Sequence, residues 1–575
     1  MDPTSDTLSE LTHRIDSLEE RVSHLEHLPE SPAAARVHEP IRLDIHAEAT
    51  SAGLWSEAAS TFGVLGRAML GIAGGYVVRA VAESGSLPKF VVAVAAILYA
   101  ALWLLAAART RGGSSFATAV YAGTSALLLA PMLWEMTLRF DILSPAHSAI
   151  VIATFLLCAY LLAWHKRLTA LVLMAECSVI VMSLALIGGT RDLLPFLCVI
   201  LLAAFLNEWA AIREQWTRLR FIPALGANLV LLLLYSIYSR PESSRTDFAN
   251  LSVPSMVAPA CTLLGIYAAS VVIRTMIKGK TIRIFEIVQT TIAFLLAAAT
   301  IIQFGPAAGA VAFGAACMVL SVASYTLTLR GRPSTTNGRN AFVYSAWGLG
   351  LLLFGGFVVL SGAWPALLFG AAATFFTTIA PRINRLSLGY HGLLYLLAAA
   401  FACGLFASAS ATFAGSAASP PPVIGWLICA AAMVCYAAMW RIEADKWQGQ
   451  VLRLGSAALA VSSFTIAFIW AIIWAARSVA GTPAWHLAVI RTFAGCLISV
   501  ALAFAGPHLH RRELAWLSYA TLALLAIKLV TEDLRHGHAE FSAASIFLVA
   551  TTVILVPRIV RNTSAAPASA PAKTS

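Results

Sequence analysis

Apolar residues in this chain come in stretches of about 20, separated by short hydrophilic gaps, and eighteen such stretches can be marked off. A helix needs about 20 consecutive apolar residues to cross the hydrocarbon core of a bilayer. The pattern predicts spans at 62–82, 88–108, 116–138, 145–164, 168–188, 193–212, 221–238, 255–276 and 281–304. The remaining nine are at 306–328, 341–361, 364–381, 390–412, 423–441, 450–475, 485–506, 513–530 and 541–560. Leu, Ala, Val and Gly dominate without period-2 alternation, which argues for helices and against a membrane barrel. The expected fold is therefore all-α, a polytopic transmembrane bundle over 62–560.

Before the first span the pattern changes. Leu8, Leu11, Ile15, Leu18, Val22 and Leu25 step by three and four, a heptad with β-branched residues at two a positions and Leu at every d. That combination favours a parallel two-stranded coil. Arg14 faces Glu19, and Arg21 faces Glu26, across such an interface. Thr7 and Glu10 supply a capping box, and Pro29 stops the helix. The expectation is a coiled-coil helix over 1–28 that pairs two copies through residues 7–28; the alternative is a helix lying on the protein's own surface. Residues 29–61 read as a linker and 561–575, rich in Ala, Pro and Ser, as a disordered tail.

Composition agrees with a membrane class: 59% hydrophobic, 12% charged, mean hydropathy +0.79. The net charge of +11 is a topology signal. Alternate gaps together with the C-terminal tail hold 24 Lys or Arg, whereas the opposite gaps hold 7. Basic residues accumulate in short loops that are not translocated, so both termini are expected in the cytoplasm of a bacterial inner membrane. Nucleic-acid binding is not implied. No gap between spans has room for a folded extramembrane domain, so any chemistry lies within the bundle. The nine cysteines all fall in spans and show no CxxC spacing, and no cofactor or metal motif occurs.

An ionisable side chain in hydrocarbon costs about 3 kcal/mol on insertion scales, which makes each one a candidate site. Glu176 stands out, eight residues into its span and near mid-membrane, where a carboxyl cannot stay ionised without a partner. Arg491 is a candidate inward-facing cation and a conceivable partner for it. Glu208, beside Asn207, and Glu286 lie nearer the basic loops, where Arg213 and Arg283 would pair with them. Asn228, Gln289 and Gln303 would join helices by hydrogen bonds. Gly362, Ala366 and Gly370 form a small-residue series for close helix approach. Arg79 would snorkel to an interface, and Glu135 would pair with Arg139. Lys528, Glu532, Asp533, His536 and His538 cluster in one outer loop; a divalent metal there is the sharp reading, and a solvated loop with ion pairing of Lys528 is the ordinary one.

The last hairpin, Ile527-Lys528-Leu529-Val530-Thr531-Glu532-Asp533-Leu534 ending in Val556-Pro557-Arg558, together with Gly66, Arg67, Gly71, Gly74 and Gly75 of the first span, resembles a family of predicted bacterial multi-spanning membrane proteins with an N-terminal coil. The family's defining domain has no assigned function. The resemblance covers most of the chain after the coil and implies an inner-membrane location, with no reaction, cofactor or ligand. Three functional classes remain: a transporter or lipid/polysaccharide translocator acting on an unidentified substrate among membrane lipids; a scaffold that recruits a partner through the coil; and an intramembrane enzyme. The first is favoured, since no nucleophile or metal motif supports the third.

Overall fold

Thirty-eight residues, Ala47–Ser84, form the first helix, α1. It begins well before the apolar stretch at 62, inside what the sequence reads as linker. The computed structural model describes residues 47–84, 87–110, 115–244, 247–330, 337–383, 385–413, 423–439, 447–479, 484–534 and 539–564. The coil residues Leu8 to Leu25, with His536 and His538, lie outside these. The chain divides into two units, one ending at Gly74 and the other running from Gly75 onward.

Within the second unit the helices follow in order. They are α2 (Lys89–Ala108), α3 (Ser115–Trp134), α4 (Pro145–Lys166), α5 (Thr169–Thr190), α6 (Leu194–Ile212), α7 (Phe221–Tyr238), α8 (Val253–Val272) and α9 (Ile284–Phe304). Then come α10 (Ala307–Arg330), α11 (Asn337–Val359), α12 (Trp364–Ile383), α13 (Leu386–Ala402), α14 (Leu405–Phe413) and α15 (Val423–Met439). The last four are α16 (Trp447–Val479), α17 (Ala484–His508), α18 (Arg512–Lys528) and α19 (Ala539–Ser564). No strand occurs among the described residues. Sixteen helical segments there are long and apolar enough to cross a membrane, and α13 and α15 are shorter apolar helices of 17 residues each. These eighteen coincide with the eighteen apolar stretches. One boundary differs: the stretch 390–412 is not a single helix. Gly404 adopts φ +73° between α13 and α14, a left-handed conformation that costs a side chain energy.

Large apolar side chains point outward along the bundle, among them Leu161 at 74%, Ile277 at 76% and Phe547 at 70% exposure. Such a surface suits lipid, since soluble proteins rarely expose contiguous apolar patches of this kind. Inside the bilayer, close packing and interhelical hydrogen bonds hold helices together. Accordingly, a Cβ added at Gly355 of α11 would lie 2.5 Å from the Gly314 carbonyl oxygen of α10, so the two backbones touch through glycine. Gly392 of α13 lies against the Thr377 methyl and the Ala373 carbonyl of α12. Gly370 and Ala366 are packed as the small-residue series anticipates, but Gly362 is not: at φ +62° it makes the turn before α12.

Three helices end in a π turn, at Glu135–Arg139, Ile273–Ile277 and Leu529–Asp533. Each carries Thr at its third position. Thr137, Thr275 and Thr531 donate back to the carbonyls of Leu133, Val271 and Ile527, four residues earlier, at 2.6, 2.7 and 2.9 Å. A hydroxyl that takes the carbonyl of the preceding turn competes with the α ladder, and a widened turn is one outcome. The second and third of these turns place charged residues on a buried face. Glu135, Arg274, Glu532 and Asp533 all sit in these turns.

Candidate functional site

The helix faces explain where the polar groups meet. On α5 the buried positions are Leu171, Val172, Ala175, Glu176, Val179, Met182, Ser183, Leu186 and Ile187, a stripe spaced by three and four. Glu176 lies on that stripe. Asn207 and Glu208 occupy the equivalent stripe of α6, Tyr267 and Ser270 that of α8, and Glu286 and Gln289 that of α9. α6 packs against α4, α5, α7 and α8, so its polar pair sits at the centre of the group. By helix rise Glu176 is about 10 Å from the start of a helix about 33 Å long. It therefore lies on the basic side of the helix midpoint, within about 6 Å of it.

Glu176 is fully buried, and one carboxyl oxygen accepts hydrogen bonds from the Tyr160 hydroxyl of α4 and the Asn207 amide of α6. Its other oxygen has no hydrogen-bond partner, and neither do the Asn207 amide oxygen, the Ser183 hydroxyl or the Tyr267 hydroxyl. No cation pairs with Glu176 among the described residues. The sequence-level suggestion that Arg491 sits opposite is corrected: Arg491 pairs with Glu532.

Next to Asn207 in sequence, Glu208 opens a lattice of full charges. The Arg220 guanidinium grips Glu208 through two hydrogen bonds of 2.8 and 2.7 Å and reaches Glu286 at 2.7 Å. Arg274 binds the same oxygen of Glu286, and Ser270 donates to Glu208 at 2.5 Å. Arg220 also stacks on Phe285, 4.9 Å from the ring centre. Arg220, Glu208, Glu286 and Arg274 are all buried, and their two positive and two negative charges cancel. Bidentate guanidinium–carboxylate pairing is the geometry that compensates burial best. The expected partners Arg213 and Arg283 are not used this way. Arg213 lies over Trp209, and Arg283 offers only its backbone N–H to Glu286. A second rung follows, where Asn228 and Gln289 exchange hydrogen bonds of 2.9 and 3.1 Å. Gln303 is exposed and joins no helices.

The loop between α6 and α7 closes the basic end. Glu214 and Trp216 adopt φ +64° and +46°, conformations that are uncommon without glycine and strained for a bulky residue. Trp216 is 8% exposed and stands edge-on to Tyr160 and Trp164 at 5.7 and 5.8 Å. Lys280 anchors the loop through a 2.7 Å bond to Glu214. That hydrogen bond and the nearby positive charge hold the exposed Glu214 carboxyl below its ordinary range.

The other candidates fall into separate clusters. Lys528 contacts Asp533 at 2.7 Å, Glu532 at 3.1 Å and Thr492 at 2.8 Å, while Thr492 donates to Asp533 at 2.7 Å. With Arg491 this makes a neutral, buried box joining α17 and α18 rather than a solvated loop. The ion pairing of Lys528 is as anticipated, and no group of metal-ligating side chains occurs among the described residues. Glu135 pairs with Arg79 at 2.7 Å, and Arg139 with Glu83 at 3.1 Å, so Arg79 is paired and Glu135 is not held by Arg139. Sequence reading missed Tyr160, Tyr267, Arg220 and Trp216. Arg220 looked like one more loop cation, and aromatic side chains at helical spacing are usually packing.

Neither a family model, nor a curated protein, nor a solved structure matches this chain.

Proposed function

We propose that this chain is an ion-coupled translocator of the bacterial inner membrane, with both termini in the cytoplasm and its pathway alongside α4 to α9. One observation carries the reading: Glu176 is a buried carboxyl without a counter-cation among the described residues, bonded to Asn207, whose neighbour Glu208 belongs to a balanced charge lattice. A bundle built for packing alone gains nothing from it, because a carboxyl with one oxygen unpartnered in an apolar interior is destabilising. A carboxyl that exchanges its charge during a cycle does need such a place. The strained Trp216 loop over the same group supplies a part that moves between two arrangements. The substrate class is a lipid-linked or other membrane-soluble polar molecule, and the N-terminal coil pairs two copies.

Proteoliposomes carrying the wild type or Glu176→Gln test this against a panel of labelled lipid-linked sugars, phospholipids and small polar solutes under an imposed ion gradient. The expected result is gradient-driven movement of one class by the wild type and none by the Gln variant, both variants being equally folded. Undiminished flux in Glu176→Gln would remove Glu176 from the mechanism. Movement of no class by either protein, together with loss of co-purifying proteins on deleting residues 1–30, would favour the scaffold.

A further inference from the structure

Resting on that reading, we infer that the ligand of Glu176 is a proton, loaded from the basic end through the Trp216 loop. The immediate neighbours decide between a proton and an alkali cation. Both groups bonded to the carboxyl present hydrogens: the Tyr160 hydroxyl and the Asn207 amide. Donors of this kind stabilise a carboxylate by themselves, whereas a sodium or potassium ion requires a shell of several oxygens. The unpartnered oxygens within the group are Glu176 Oε2, Asn207 Oδ1 and the Tyr267 hydroxyl, with the Ser183 hydroxyl about 10 Å further along α5 by helix rise, too few for such a shell. They are well placed for a proton instead. A protonated Glu176 donates, and rotation of the Asn207 amide by half a turn presents its vacant oxygen as acceptor. Thus both protonation states find hydrogen-bond partners at the same three side chains, Tyr160, Glu176 and Asn207, without an ion.

The surroundings from every packed element fit this assignment. α4 contributes Tyr160; α6 contributes Asn207 and Glu208; α8 contributes Tyr267. α7 contributes Arg220 at its start, already held by Glu208 and Glu286. α3 contributes Tyr121, which packs on Trp103, and the π turn after it holds Glu135 and Arg139 at the far end of α5. No Lys, Arg or His therefore reaches Glu176 among the described residues. Trp216 blocks the short way to the basic end, about 10 Å distant by helix rise, and lifting it would admit water to the Tyr160–Glu176 bond.

Two measurements test the proton directly, and neither depends on finding a transported substrate. The first is labelling by dicyclohexylcarbodiimide, a membrane-soluble reagent that adds to protonated carboxyl groups, read by peptide mass spectrometry of the intact protein in phosphatidylethanolamine–phosphatidylglycerol vesicles. Labelling at Glu176 should fall as the buffer is made alkaline and should rise several-fold in Trp216→Ala. The second is difference infrared spectroscopy of the same vesicles through a pH titration. A carboxylic-acid carbonyl band should appear on acidification, be lost in Glu176→Gln and return shifted in Glu176→Asp, which guards against a Gln variant that fails to fold. A Glu176-dependent band that does not change with pH would make the group a static packing acid and overturn the inference. So would the absence of any such band, or suppression of labelling by sodium at fixed pH. A titrating band in a protein that moves no substrate would uphold the proton site and reject the translocator.

Discussion

Arg220 is the residue on which the lattice turns, because among the described residues it alone pairs with both Glu208 and Glu286. Removing one partner of a buried ion pair leaves an uncompensated charge and costs about 3–5 kcal/mol. Arg220→Gln should therefore lower the thermal unfolding midpoint of the detergent-purified protein markedly, whereas the Arg220→Met, Glu208→Met double variant should recover part of the loss. Equal midpoints for the single and double variants would deny the coupling. The exposed pair Glu214–Lys280 is the contrast. The depressed Glu214 carboxyl contributes stability that is present above its unfolded-state value and is lost as pH falls through the lower folded-state value. At a fully exposed position that contribution is screened, so Glu214→Gln should leave the midpoint at neutral pH unchanged. The sequence made Glu176, Glu208 and Glu286 legible as charges where charges are costly. It left their partners illegible, since nothing local distinguishes Arg220 from Arg213 or Arg218; only the meeting of α6, α7 and α9 does.

At the scale of elements, span positions were readable from apolar run length, because a bilayer imposes the length. The breaks were not. Gly404 divides one apolar run into two helices, and the three π turns follow a threonine whose back-bonding carries no pattern visible in hydropathy. Close helix approach was partly readable, as Gly370 shows, yet the glycine-to-glycine contact of Gly314 with Gly355 was not singled out. Gly355→Ala forces a methyl to within 2.5 Å of the Gly314 carbonyl oxygen and 2.6 Å of the Met318 side chain. Overpacking of this kind costs about 1–3 kcal/mol. The variant should lower resistance to denaturation in mixed detergent, while Gly350→Ala on the same helix, whose added methyl meets nothing within 4 Å, should be neutral or slightly stabilising. Equal behaviour of the two would show that α10 and α11 are not held by this contact.

At the scale of the whole molecule, parity ties the chain together. If each of the eighteen apolar helices crosses, with α13 and α14 counted as one passage, every second gap falls at the same end. The charge lattice around Arg220 then lies at the end of the 24 basic residues, and the Arg491–Lys528 box lies at the other. The number of crossings matters more than the count of charges, because a single missed span would invert everything after it. The two 17-residue helices α13 and α15 are the test of that, each about 26 Å long by helix rise and thus short for a core of about 30 Å. Reporter fusions placed after residue 115, after residue 245 and within 508–511 settle the parity. The first and third should read cytoplasmic and the second periplasmic. A third fusion on the periplasmic side, with the first two as expected, would mean that an odd number of the intervening helices fails to cross. The Arg491–Lys528 box would then share the side of Trp216, and loading of Glu176 would have to be reconsidered as one of two charged assemblies facing the same compartment.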